Sequence, residues 1–327
     1  MMMDKEWIRQ KVEKNIGTIY GLKHPTDRDV ETMVDTMFAQ CPTFQFPGYT
    51  ELNPLFGCIQ GVFLLKEHFK SFFSTVEVLN LEKQYIIVDG FNADAHYMME
   101  LKFKESGSRY EFELLFFMDI DMEGRVRDLK LYFDTATFLK AVKTKNGTFK
   151  DVREAVPHTE FKPDSKLKAA AITSDAYVQF GVAYYGFGNW EDFYSRLSNG
   201  VEVVFKSNVD VIPYAGQYSG SGSEGFKKWL DDLMSLWSLN AFNFTKVYTE
   251  GNAADFMMHE LHYYNNPDGT KRYLDVYIVQ SSMVNDDGKI ELFKSYNDSA
   301  WLDETFFASE VYKKHYGYPA DYPKGLK

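Results

Sequence analysis

Two cysteines in 327 residues, Cys41 and Cys58, are too few for a disulfide framework, and neither sits in a metal-ligand spacing. Reduced thiols are the expectation, with a Cys41–Cys58 bridge left open. Basic residues are also short: 36 Lys and Arg against 47 Asp and Glu, a net charge of −11. That balance argues against nucleic acid or an anionic membrane as the main partner, since both call for basic patches. No run of about 18 apolar residues marks a membrane span. The opening Met1-Met2-Met3-Asp4-Lys5-Glu6 turns charged at once and holds no apolar signal core. A cytoplasmic chain is therefore expected. No Gly-x-Ser-x-Gly elbow is present either, which removes that route to an activated serine.

What the chain has in quantity is apolar residues, 45%, with aromatics at 17%. Such a composition fills cores and lines pockets alike. It also has a repeat. Gly124-Arg-Val-Arg-Asp-Leu-Lys130-Leu-Tyr132-Phe-Asp134-Thr-Ala136 is answered by Gly288-Lys-Ile-Glu-Leu-Phe-Lys294-Ser-Tyr296-Asn-Asp298-Ser-Ala300, an offset of 298 − 134 = 164 residues. A duplicated unit of this size fits a length that suggests two domains of about 150 residues.

The hydrophobic periods agree. Helical spacing marks 4–20, 26–39 and 61–74, with Pro42, Pro47 and Pro54 keeping 41–60 irregular or at sheet edges. Strands are predicted at 82–88, 94–104, 109–120 and 125–133. A polar stretch with Pro157 and Pro163 reads as a linker. The second half reruns the order, with helices at 173–186, around 189–193 and at 224–237. Its strands are predicted at 201–206, 240–249, 253–264, 271–284 and 289–297. Domains are expected at 1–143 and 168–310, with a linker at 144–167 and a Tyr-rich tail at 311–327.

Each half resembles the SnoaL-like, nuclear-transport-factor-like superfamily. The resemblance is carried by the Gly-basic-β-branched start of the last strand, its Lys-x-Tyr-x-Asp-x-Ala ending, and Asn189-Trp-Glu-Asp-Phe193. It implies an α+β fold: two tandem cone-shaped domains, each a curved, mostly antiparallel sheet wrapped around N-terminal helices. It also implies a hydrophobic pocket between sheet and helices, no cofactor, and pairing of the two domains as an internal pseudo-dimer, with a homodimer as the further option.

Lys130/Tyr132/Asp134 and Lys294/Tyr296/Asp298 alternate along their strands, so each trio shares a face. The resemblance makes Asp134 and Asp298 acid/base candidates. Leu129, Leu131 and Phe133 compete for the buried face in the first half; in the second, Phe293, Ser295 and Asn297 leave the choice open. By the same resemblance Glu100 belongs in the pocket, and Glu260 with it if the second half has a four-residue longer hairpin; a solvated polar face of His96, Glu100 and Lys102 is the alternative. A carboxylate in an apolar pocket suits general acid/base work. His262 shares a face with Glu260 and could form a dyad with it. His259 lies three residues away on the opposite face, so no metal site is expected. Met98, Met258, Leu131 and Ser295 stand where the epoxide hydrolase branch has its Arg and catalytic Asp, which argues against that reaction. Gly220-Ser-Gly-Ser-Glu-Gly225 spells a dinucleotide fingerprint without its βαβ context.

The expected function is proton transfer (isomerisation, aldol-type cyclisation or dehydration) on a small hydrophobic carbonyl compound. The alternative is a non-catalytic module that binds a small apolar ligand or another protein. Catalytic candidates are Asp298, Glu260, Tyr296, His262, Asp134 and Glu100. Trp190, Phe193, Tyr218, Trp229, Met258, Tyr277 and Lys294 are candidates for substrate contact.

Overall fold

The computed structural model describes residues 4–48, 50, 52–151, 159–207, 214–220, 222–265, 271–297 and 299, without the side chains of 264–265 and 272–275. In chain order the first half comprises α1 (Lys5–Tyr20), α2 (Asp27–Met37), β1 (Phe38–Phe46), β2 (Gly57–Gln60), α3 (Val62–Thr75), β3 (Val76–Asp89), β4 (Asn92–Phe103), β5 (Arg109–Ile120), β6 (Val126–Tyr132), α4 (Thr135–Lys143) and β7 (Thr148–Lys150). The second comprises α5 (Ala169–Tyr184), α6 (Trp190–Tyr194), β8 (Leu197–Lys206), β9 (Gly216–Tyr218), α7 (Glu224–Leu236), β10 (Trp237–Glu250), β11 (Ala253–Asn265), β12 (Lys271–Val284) and β13 (Ile290–Asn297). The chain forms two compact units, one built on Met1–Asp151 and the other on Val152–Asn297; Ser299 groups with the first. None of the described helices is long and apolar enough to cross a membrane.

Each unit is α+β with one mixed sheet. The orders are β2-β1-β6-β5-β4-β3, with β7 added alongside β5, and β10-β11-β12-β13-β8-β9. In each, one strand of the first part of the unit lies parallel to the repeated last strand: β1 against β6 and β8 against β13. The other pairs along both paths are antiparallel.

Local chemistry explains the helices. Thr26 and Asp29 form a reciprocal capping box that starts α2, and its stripe of Val30, Met33, Val34 and Met37 is buried. Asn189 caps α6 by accepting from the Asp192 amide. α3 buries Leu65, Phe69, Phe72 and Phe73 against the sheet. Pro42 does not break β1; it sits within the register irregularity between Phe38 and Thr43, the one kind of place where an interior strand tolerates a residue with no N–H. The segment expected to be irregular or at sheet edges therefore contributes an interior strand, β1, as well as the edge strand β2. Three further elements fall where none was expected: α4 follows the repeated motif, β7 lies within the expected linker, and the short β9 precedes α7. Cys41 and Cys58 are both free and exposed.

Candidate active site

Strand pairing allows the two units to be compared residue by residue. The β3–β4 hairpin closes on Asp89 and Asn92, the β10–β11 hairpin on Glu250 and Ala253, so β4 and β11 correspond with an offset of 253 − 92 = 161. Across the next two strands Phe116 pairs with Leu131 and Gln280 with Ser295, an offset of 164.

In the second unit the helix-facing side of the sheet is fixed by contacts from α5 and α7. The Tyr177 ring lies 5.5 Å from Phe256, and its hydroxyl donates to Gln280 Oε1. Thr173 and Ser282 hydroxyls are 2.8 Å apart. The Phe293 ring packs 5.7 Å from Phe226 and 5.8 Å from Trp229. Strand alternation then places Met258, Glu260 and His262 on this side of β11, and Ser295 and Asn297 on this side of β13.

Here His262 Nε2 lies 2.7 Å from Glu260 Oε2, with the side chains 11% and 15% exposed. The pair is recessed but reachable from solvent. A carboxylate only accepts, so the ring nitrogen donates and the Nδ1 lone pair is left as a base. The Trp237 ring stands edge-on to the imidazole at 5.7 Å. Among the described residues, buried polar atoms without a hydrogen-bond partner on this side include His262 Nδ1, Trp229 Nε1, Ser295 Oγ and Asn297 Oδ1. Over 90% of buried polar groups are normally paired, so each such exception needs a reason. Burial, reinforced by the charges of Glu260 and Asp255, holds the Tyr177 phenol well above its usual range and keeps it a neutral donor.

The remaining sequence candidates are placed differently. Glu100 lies outside the pocket. Tyr97, Met99 and Leu101 face the core, whereas Glu100 points to the other side of β4, within 3.5 Å of Arg109. The expected match to Glu260 is one residue out of register, and a one-residue slip changes faces; the counterpart of Glu260 is Met99. The solvated-face alternative holds for the half-buried Glu100 and Lys102 but not for His96, which is fully buried between Asp94 (3.3 Å) and Glu113 (3.2 Å), with Tyr85 stacked on it at 4.1 Å.

Asp134 is no pocket base. It is buried as the N-cap of α4, accepting from the Thr137 amide, the Thr137 hydroxyl and, at 2.6 Å, the Ser299 hydroxyl. Tyr296 and Lys294 are buried on the face opposite Phe293, away from the dyad. Tyr277 is 60% exposed and stacks on His259 at 4.7 Å, on that same opposite face. Met258 and Trp229 do lie on the dyad's side. Phe193 packs between Phe180 and Phe226, and Trp190 against Phe180, as helix-to-helix contacts. Tyr218 is buried on β9 opposite Val203, its phenol raised by burial and by Asp232. Asp298 falls outside the described residues.

One Glu and one His supply fewer ligands than the three or four protein groups zinc takes. The Gly220–Gly225 loop joins β9 to α7 beside an antiparallel strand pair, so the crossover of a dinucleotide fold is not present there. Tyr177 and Gln280 are the site residues that the sequence reading did not select. The signal was available: Val276-x-Ile278-x-Gln280-x-Ser282 carries polar residues where the first half has Phe116 and Met118.

No protein-family model and no curated protein sequence matches the chain. Solved structures do show likeness to parts of it. An NTF2-like protein from Burkholderia xenovorans LB400 is 17% identical, over 43% of this chain and 99% of its own, with a TM-score of 0.37. An NTF2-like protein of unknown function from Burkholderia pseudomallei K96243 is 10% identical over 41% of this chain and 93% of its own, at 0.33. An LEH-like epoxide hydrolase from M. tuberculosis is 14% identical over 41% and 90%, at 0.31.

Proposed function

We propose that the second unit binds a small hydrophobic carbonyl compound and moves a proton on it without a cofactor, as an isomerase-type enzyme does. The observation that carries this is the Glu260–His262 pair, 2.7 Å apart on the helix-facing side of β11, with Nδ1 buried and unpartnered. Glu260 fixes the imidazole tautomer and stabilises the imidazolium once Nδ1 has taken a proton from the carbon next to the carbonyl. The same Nδ1–H returns the proton elsewhere on the substrate. Phe256, Met258 and Ile278 form the apolar floor on which a ring would lie. A positioned base of this kind contributes about 10²–10⁴-fold to rate.

The test is solvent deuterium uptake by a panel of cyclic ketones incubated with the full chain in D₂O. His262→Ala should lower the enzyme-dependent exchange by at least ~100-fold, and Glu260→Gln should lower it while leaving ketone binding in place. ¹⁵N spectra should show the neutral His262 ring protonated on Nε2. Exchange that is indifferent to both substitutions, or no exchange with any ketone, would end this reading; binding without exchange would turn it into a ligand-binding module.

A further inference from the structure

The other three unpartnered atoms lie apart from the dyad. Ser295 and Asn297 follow Phe293 at alternate positions on β13, and Trp229 reaches Phe293 from α7 across the interior. All three side chains are more than nine-tenths buried. Trp229 Nε1 can only donate, Asn297 Oδ1 can only accept, and Ser295 Oγ does both. A ligand hydroxyl suits such a set, because it donates and accepts through a single oxygen. A carbonyl or an apolar group would leave at least one atom stranded, at the cost of an unmade buried hydrogen bond.

Strand geometry sets the spacing. The base residue His262 pairs with Leu274 and Asn297 with Ile278, which puts them two strands and four residues apart. At ~4.8 Å per strand and ~3.3 Å per residue their Cα atoms are about 16 Å apart. Side chains reaching inward from both ends leave the length of a two-ring molecule. Between them the floor is apolar, with Met258 and Ile278 paired across β11 and β12.

We infer that Ser295, Asn297 and Trp229 form a hydroxyl-recognition subsite. It selects ring ketones that carry a hydroxyl at the end remote from the reacting carbonyl. This rests on reading the helix-facing side of the second unit as a ligand site, and it adds a specificity determinant separate from the base.

A matched pair of probes tests it: 6-hydroxy-2-tetralone and 2-tetralone, bound to the full chain and followed by calorimetry. The hydroxylated ketone should bind at least tenfold more tightly. Asn297→Leu should bring the two within threefold, and Ser295→Ala should erode the preference by a smaller factor. Glu260→Gln should leave the preference intact. Circular dichroism confirms that each variant is folded, and Ser295→Ala serves if Asn297→Leu is not. Equal binding of the pair by the wild type, a preference that survives both β13 substitutions, or binding of neither ketone overturns the inference. Deuterium uptake by the same ketones separates the two readings. Uptake without a hydroxyl preference removes the subsite alone; a hydroxyl preference without uptake removes the proton-transfer reading and leaves the subsite.

Discussion

The two units share a strand order and differ in what they put inside it. At matched positions the first has Met99, Leu101, Phe116, Met118, Leu131 and Phe133, each at most 2% exposed. The second has Glu260, His262, Gln280, Ser282, Ser295 and Asn297. Six apolar inward residues have six polar counterparts. Around the first set, Phe46, Phe112 and Phe138 all lie within 6 Å of the Phe133 ring. The first unit is thus a filled core, and the second is the same shell with a polar interior. A close-packed apolar interior stabilises; polar groups without partners cost stability and are kept where they meet a ligand.

The sharpest way to break this contrast is to write one interior into the other. Met99→Glu buries a lone carboxylate in the filled core and should destabilise the first unit by about 3–5 kcal/mol, read by urea denaturation. The reciprocal change, Glu260→Met with His262→Leu, should stay within about 1 kcal/mol of wild type or exceed it, because buried ion pairs replaced by apolar groups are often neutral. A large loss from the reciprocal pair would show that the dyad is structural.

Acid should separate the units next. His68 is buried among Phe44, Phe46 and Phe69, and burial lowers its pKa to about 4. Because the folded value lies below the unfolded one, its stabilisation is complete above pH ~6.5 and is lost as pH falls towards 4. The slope approaches ~1.4 kcal/mol per pH unit in that window. His68→Phe should flatten it in denaturation curves; an unchanged slope would place the acid sensitivity elsewhere.

Ser295→Ala should have a smaller effect of the opposite sign, raising stability by about 1 kcal/mol while weakening binding of a hydroxylated ligand, since it removes an unsatisfied buried oxygen. A drop in stability would mean that the hydroxyl has a structural partner. Smallest of all is Asp134. Burial raises its pKa despite its hydrogen bonds, so the folded chain holds a proton that the unfolded chain has released. Stability from this group is therefore greatest below the unfolded value and falls as pH rises through the folded one. Asp134→Asn should remove that component, seen as a shallower decline as pH rises above the unfolded value of ~3.9.

Much of this architecture could be read from the residues. The repeat on the last strands has the offset that the strand pairing confirms, and the helical stripes of α1 and α2 lie where periodicity puts them. The Glu260–His262 pairing was legible from i, i+2 alternation alone. Glu100 shows where such reading fails. Similar tetrapeptides, Met98-Met-Glu-Leu101 and Met258-His-Glu-Leu261, suggest an offset of 160, whereas the hairpins impose 161. Sequence similarity carries no information about which turn residue was gained, and strands punish a single miscount by exchanging faces. Asp134 and its Thr-Ala-Thr sequel read as a strand ending but act as a helix start, because an Asp before Thr137 caps equally well. Tyr177 stayed hidden because a tyrosine on a helix stripe looks like core until its hydroxyl is seen to reach Gln280.

The parallel strand in each sheet also has a bearing on how the chain is made. β1 is synthesised early, yet its inner neighbour β6 begins 126 − 38 = 88 residues later. β8 and β13 are separated by 290 − 197 = 93. Until that partner leaves the ribosome, β1 has only the four-residue β2 beside it, and one edge stays open. At ~5–20 residues per second the wait is about 4–18 s. The sheet of each unit is therefore complete only once its last strand is made, and truncation just before Val126 or Ile290 should leave an aggregation-prone fragment with an unpaired strand edge.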